Sequence, residues 1–274
     1  MWRLCKKGLG EIKMNRIEKV FKKLAANGEK GFVPYIMAGD GGLDVLGERI
    51  TFLERAGATA IEIGIPFSDP VADGPLIQEA GIRALKANIS LRDVITAIRS
   101  IRPVITVPII FMTYLNPILA YGIDQCLEDC RKAGVDGFII PDLPFEEEEL
   151  LSEKAEREGI ELIRLVTLTS PLERIQEISK RGKGFLYAVT VNGITGTRSE
   201  FHSQLGSYLK SIKEVSTIPV LAGFGISTPA QVEAISSLCD GVIVGSKIVQ
   251  SFEQNELQEI ETLIRSVKQV NISG

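Results

Sequence analysis

Glu62 is the one charged residue in the apolar run Ala60-Ile61-Glu62-Ile63-Gly64. Side chains along an extended strand alternate between its two faces, so Glu62 points away from Ile61 and Ile63. A carboxyl held in an apolar interior resists ionisation and its pKa rises. That suits a general acid or base working near neutral pH. A purely structural glutamate would pair with Arg or Lys, and within the other apolar runs only Arg164 offers one. The next ten residues, Pro66-Phe67-Ser68-Asp69-Pro70-Val71-Ala72-Asp73-Gly74-Pro75, carry three prolines and two more carboxylates, Asp69 and Asp73. Proline fixes φ, so this loop is stiff. Asp and Pro are common loop residues singly; the whole string is far less generic.

A second kind of chemistry lies in the last third of the chain. Asn192-Gly193-Ile194-Thr195-Gly196-Thr197, Gly223-Phe224-Gly225-Ile226-Ser227 and Gly245-Ser246-Lys247 each follow an apolar run. Glycine lets backbone N–H groups approach an anion, and a helix opening at Ser246 adds its positive dipole end. One such Gly pair is usually a tight turn. Three in succession point to a phosphate site.

These residues need a frame, and the apolar runs supply it. They are Gly31–Met37, 60–64, 108–113, 137–140, 162–166, 185–189, 219–222 and 241–244, eight in all. Each reads as a nearly continuous apolar segment, as a parallel strand buried on both faces does. Stretches of helical periodicity separate them; in 45–56, Leu46, Ile50 and Leu53 share one face. Gly57, Gly134 and Gly159 fall where a left-handed residue closes a helix. Thr228-Pro229 reads as N-cap and N1. Strict βα alternation predicts a parallel sheet, and eight units predict an α/β fold of the (β/α)₈ TIM-barrel type with an extra N-terminal helix at 17–26 plugging the bottom. In such a barrel the site lies at the C-terminal ends of the strands, where the carboxylates and Gly-rich loops fall. No linker divides 14–274, which is expected to be one domain, with residues 1–13 an extension outside the fold.

Other features narrow the chemistry. The 274 residues carry a net charge of −4 and no Lys/Arg block, so there is no electrostatic footprint for nucleic acid. The basic start lacks an apolar core for a signal peptide, and no run approaches a membrane span. Cys5, Cys126, Cys130 and Cys239 show no disulfide framework; a cytoplasmic setting with reduced thiols is expected. The single histidine, His202, reads as a surface residue, which leaves no histidine cluster for a metal and no serine–histidine triad. Cys126 and Cys130 at i, i+4 read as core. Glu146–Glu149 reads as a solvated helix start. No Gly-x-Gly-x-x-Gly follows a strand, so no dinucleotide is expected.

The string from Ala60 to Pro75 closely resembles the signature of the tryptophan synthase alpha chain family. The resemblance runs from about Met14 onwards. It includes Phe32-Val33-Pro34-Tyr35, Ala38-Gly39-Asp40, Tyr114-Leu115-Asn116-Pro117, Pro141-Asp142-Leu143-Pro144, Gly193-Ile194-Thr195-Gly196 and Gly223-Phe224-Gly225-Ile226. It implies a lyase that cleaves indole-3-glycerol phosphate to indole and glyceraldehyde 3-phosphate. Glu62 matches the family's catalytic glutamate, Asp73 its indole-binding aspartate and Tyr187 an active-site tyrosine. Gly196, Gly225, Gly245 and Ser246 match phosphate-holding positions. Phe32, Tyr35, Ile65 and Phe224 are expected as apolar walls near the indole. The resemblance further implies no cofactor in this chain and a partner β chain that carries pyridoxal phosphate, in an α₂β₂ heterotetramer, with Asp69 and the 190–199 loop facing that partner. Two departures stand out. Gly41-Gly42 follow Asp40 where the family usually has Gly-Asp-Pro, which should loosen that loop, and Thr190-Val191-Asn192 precede Gly193. Three other readings share the scaffold: another phosphate-binding barrel isomerase or synthase, a stand-alone indole-releasing lyase, and a non-catalytic activator of a β partner.

Overall fold

The structure is a computed structural model that describes residues 14–190, 198–223 and 225–267, with backbone only for 198–204. Strands β1 (Gly31–Met37), β2 (Ile61–Gly64), β3 (Ile109–Met112), β4 (Gly137–Ile139), β5 (Glu161–Thr167), β6 (Leu186–Val189), β7 (Val220–Gly223) and β8 (Gly241–Val244) form a closed parallel barrel. β8 returns to pair with β1, Phe32 opposite Val242. Helix α1 (Arg16–Asn27) precedes β1, and α2 (Leu46–Ala56) follows it. Two helices, α3 (Pro75–Lys86) and α4 (Leu91–Ile101), follow β2, and α5 (Leu115–Tyr121) and α6 (Ile123–Ala133) follow β3. Single helices α7 (Ser152–Arg157), α8 (Leu172–Arg181), α9 (Arg198–Val215) and α10 (Pro229–Ser236) follow β4 to β7. The last pair is α11 (Ser246–Glu253) and α12 (Leu257–Ser266).

All eight expected strands are present, with small shifts at their ends. Pro108 and Pro219 sit just outside β3 and β7. Proline has no N–H for the ladder, and each contributes only its carbonyl, to Ile61 N at 2.9 Å and Leu186 N at 2.7 Å. β5 is longer than expected and starts at Glu161.

The core has two layers. The outer one lies between strands and helices and takes Phe32, Ile36, Ile61, Ile63 and Ile65 with the inner faces of α2, α4 and α6. The inner one fills the barrel with Val33, Ala60, Ile110, Ile139, Ile163 and Leu221. As expected, α1 closes the bottom of this inner layer. Its Ile17 and Phe21 are buried there, and Phe21 meets Phe185 with ring centroids 5.3 Å apart. Asn15 caps α1, accepting from Ile17 N, and donates to the carbonyls of Asp136 and Gly159. Gly57 and Gly134 close α2 and α6 in the left-handed region. Thr228 and Gln231 form a reciprocal cap on α10. Cys126 and Cys130 are core residues of α6.

The acidic run differs from its expected solvated helix start. Phe145–Leu150 forms a 3₁₀ turn, and Glu148 within it is buried. Arg164 points outward from β5 beneath the turn and donates to Glu148 Oε2 at 2.6 Å. A buried charge needs such a partner. Glu146, in contrast, stays at the surface, and Arg174 holds its carboxyl down at about 2. Among the described residues, no helix is long and apolar enough to cross a membrane, and no group of three or more His, Cys, Asp or Glu could hold a metal.

Candidate active site

A cavity of about 240 Å³ opens at the C-terminal ends of the strands and is lined by Glu62, Asp73, Tyr35, Tyr187, Gly225, Gly245 and Ser246, among others. The strand register builds its floor. Glu62 lies between Tyr35 on β1 and Ile110 on β3, above the apolar inner layer. Only 1% of Glu62 is exposed, and its Oε2 has no hydrogen-bond partner. Burial pushes its carboxyl up to about 8, helped by the negative charge of Asp73. At neutral pH Glu62 therefore holds its proton.

Asp73 faces it from the proline-rich loop. Tyr114, at the N-terminus of α5, anchors that loop. Its hydroxyl accepts from Ala72 N at 3.0 Å, and its ring packs on Phe67 with centroids 5.3 Å apart. Partial burial raises the Asp73 carboxyl to about 6, while a hydrogen bond from Tyr114 works against the rise. Near pH 7 one carboxyl is thus neutral and the other ionised. Such a split between neighbours in different surroundings allows one to donate a proton and the other to accept a hydrogen bond.

Two phenols reach the cavity in the same manner. Tyr35 on β1 leans over Gly64 on β2, and Tyr187 on β6 leans over Gly223 on β7. A β-carbon on Gly64 would overlap the Tyr35 hydroxyl, and one on Gly223 would come within 2.5 Å of the Tyr187 hydroxyl. Glycine at those inward positions makes room for the rings. Burial pushes both hydroxyls well above the ordinary tyrosine range, so both remain protonated.

The opposite wall is polar backbone. Gly225 has φ +75°, and Gly245 precedes α11, whose first residue is Ser246. First-turn N–H groups of a helix have no intrahelical acceptor and suit a phosphate. Gly225, Ser227, Gly245 and Ser246 all line the cavity. Lys247 lines it too, with its ammonium also drawn to Glu256 and Glu259.

The structure thus brings Glu62, Asp73, Tyr187, Tyr35, Gly225, Gly245 and Ser246 together. It places two expected wall residues elsewhere. Phe32 and Ile65 are buried in the outer layer against the helices, because they share the strand faces of Ile36 and of Ile61 and Ile63. Asp69 is exposed on its loop beside Ser68. Gly196, Phe224, most of the 190–199 loop and residues 1–13 lie outside the described residues, as does the side chain of His202. The residue pattern left Ile77, Met112, Ser227, Ile243 and Lys247 unassigned, though all line the cavity. Ser227 and Lys247 stood in the Gly-rich strings and could have been found there; Met112 and Ile243 look like any other strand residue.

Known proteins align with most of this chain. The sequence model of the family described as "Tryptophan synthase alpha chain" matches residues 21–272. A tryptophan synthase alpha chain of Bacillus cereus (strain ATCC 10987 / NRS 248) is 50% identical over 253 residues, 92% of this chain and 98% of that one. One from Bacillus anthracis is 49% identical over 256 residues, 93% and 98% of the two chains. Among solved structures, tryptophan synthase subunit alpha of Legionella pneumophila str. Paris superposes with a TM-score of 0.85 at 37% identity, covering 94% of this chain and 98% of that chain. A chain of Mycobacterium tuberculosis tryptophan synthase gives 0.85 at 32%, covering 93% and 99%.

Proposed function

The chain belongs to the tryptophan synthase alpha chain family, and from that premise we propose how its cavity cleaves indole-3-glycerol phosphate, the family's retro-aldol reaction in tryptophan biosynthesis. The observation that carries the assignment of roles is the shared cavity: a neutral buried Glu62 faces an ionised Asp73, and Gly225, Gly245 and Ser246 line the same cavity.

The substrate phosphate docks on Gly225, Gly245 and Ser246. The indole then reaches between Tyr35, Tyr187 and Asp73. The carbon–carbon bond to C3 breaks only if the ring leaves as neutral indole, so C3 must gain a proton. Glu62 supplies it. Positive charge then develops on the indole nitrogen, and Asp73 stabilises it by accepting the N–H hydrogen bond. The Glu62 carboxylate next takes the proton of the glycerol hydroxyl adjacent to C3. The electron pair of the broken bond returns to the ring, the hydroxyl carbon becomes the aldehyde, and Glu62 ends protonated as it began. Tyr187 holds the ring in plane from the β6 side.

The finer assembly follows the same reading. A β chain receives the indole, pyridoxal phosphate resides in that partner, and two copies of each chain make the assembly. Asp69, exposed at the mouth, faces the partner.

The test is indole release from indole-3-glycerol phosphate across pH, with and without a tryptophan synthase β chain. Free-enzyme kcat/KM should rise as Asp73 ionises near 6 and fall as Glu62 loses its proton near 8. Activity should increase strongly with the β chain. No indole under either condition would refute the reading, and high activity unaffected by the β chain would favour a stand-alone lyase.

A further inference from the structure

The loop after β1 is built around Asp40. Gly39, Gly41 and Gly42 have φ of +80°, +86° and +104°, and this left-handed run curls the chain so that Asp40 is 6% exposed at its centre. Instead of the loosened loop the Gly41-Gly42 pair suggested, the structure has a clamp. Arg83 of α3 donates Nε to Asp40 Oδ1 at 2.6 Å and Nη2 to Oδ2 at 3.0 Å. Its third nitrogen, Nη1, lies 3.2 Å from Glu253, the last residue of α11. Arg49 of α2 adds a bond from Nη1 to the Asp40 carbonyl at 2.6 Å while stacking 5.0 Å above the Phe252 ring. A β-carbon on Gly41 would lie 3.1 Å from Arg49 Nη2, so the loop and both guanidiniums fit as one unit.

The clamp matters because of what α3 carries. Asp73 and Gly74 immediately precede its first residue, Pro75. The inner face of α3 consists of Ile77, Ala80 and Ala84, lying on Tyr35, Met37 and Val249. Small alanines give little shape to hold a helix against sliding, since apolar contact is non-directional. A bidentate arginine–carboxylate fork is directional. It ties α3 to the loop after β1 at one defined point.

We propose that Arg83 is a positioning residue for the cleavage reaction, its fork on Asp40 holding α3 so that the Asp73 carboxylate stays over Glu62. This rests on the role given to Asp73 above. The groups facing Asp73 are Glu62 from β2, Tyr35 from β1, Tyr187 from β6 and Tyr114 at the start of α5. Arg83 acts on it through the helix.

The experiment compares Arg83→Met, Arg83→Lys, Asp40→Asn and the Asp40→Asn/Arg83→Met double variant in the full chain. It reads the pH profile of kcat/KM, the affinity for inorganic phosphate, and the folded fraction by circular dichroism. In Arg83→Met a loosened α3 gives Asp73 more water, so the ascending limb should move below about 6. At the same time kcat should fall roughly tenfold or more, with phosphate affinity changed less than about threefold. Arg83→Lys should recover part of the loss, and the double variant should be no worse than either single one. An unmoved limb, with a kcat loss no larger than the loss of folded protein, overturns the proposal. Asp73→Asn serves as the control. If it keeps the ascending limb, the role of Asp73 fails and takes this inference with it; if it loses the limb while Arg83→Met matches the unmodified chain, the inference alone fails.

Discussion

Two buried glutamates at opposite ends of the barrel have carboxyls raised alike by burial, yet they sit among different neighbours. Glu62 at the C-terminal end and Glu161 at the N-terminal end each have an Oε2 without a hydrogen-bond partner. Burial pushes both carboxyls to about 8. Each also lines a cavity. Their neighbours separate them. Glu62 faces Asp73, two phenols and the glycine-rich wall. Glu161 points inward beside Ile17 and Gly184 and feels Glu18, Lys183 and Asp136. Close by, Asp136 has its charge satisfied by Arg16 at 2.8 Å and by Ile109 N at 2.9 Å. A raised carboxyl pKa therefore does not by itself mark a site. Its position at the end of the barrel where the βα loops converge does.

Neutralising each glutamate in turn separates their roles. Glu62→Gln should lower kcat for indole release by roughly 10³-fold, because the amide can neither give nor take the proton. Glu161→Gln should leave kcat within about twofold, since its effects stay local to the barrel bottom. Steady-state kinetics on folded samples of both variants decides it, and a comparable loss in both would end the distinction.

Stability gives the converse pattern, with the two glutamates expected to behave alike. A carboxyl whose folded pKa is raised binds its proton more tightly in the folded state. The stability it contributes is full below about 4.5 and is lost as pH rises through about 8. Either Gln variant should remove part of that alkaline loss, so that each gains roughly 1–3 kcal/mol relative to the unmodified chain between pH 6 and 9. Urea unfolding at the two pH values tests it; no pH-dependent gain in Glu161→Gln would mean that its carboxyl is solvated.

The smallest effect sharpens the upper site itself. Tyr187→Phe removes one hydroxyl and keeps the ring, so kcat should fall only about two- to tenfold. A loss as large as that of Glu62→Gln would make Tyr187 a proton donor instead of a ring support.

Much of this molecule is legible along the chain. The eight apolar runs, the plugging helix, the glycine helix ends and the Thr228 cap all depend on local periodicity and turn chemistry. Glu62 stood out because a charge in an apolar run is costly. Even the two misplaced walls were open to the same rule. Phe32 and Tyr35 are three apart and cannot share a strand face, while Ile65 continues the face of Ile61 and Ile63. Tertiary structure decided the rest. Arg164 reaches Glu148 across 16 residues and Arg83 reaches Asp40 across 43, and local patterning holds no trace of either partner. Glu161 adjoins the apolar run 162–166, and only barrel closure buries it. Which residues are extended, helical or bent follows from local patterning, because those preferences act between near neighbours. Only the closed barrel decided which carboxylates lose water, which find a cation and which face a substrate, because burial and charge pairing depend on segments far apart in the chain.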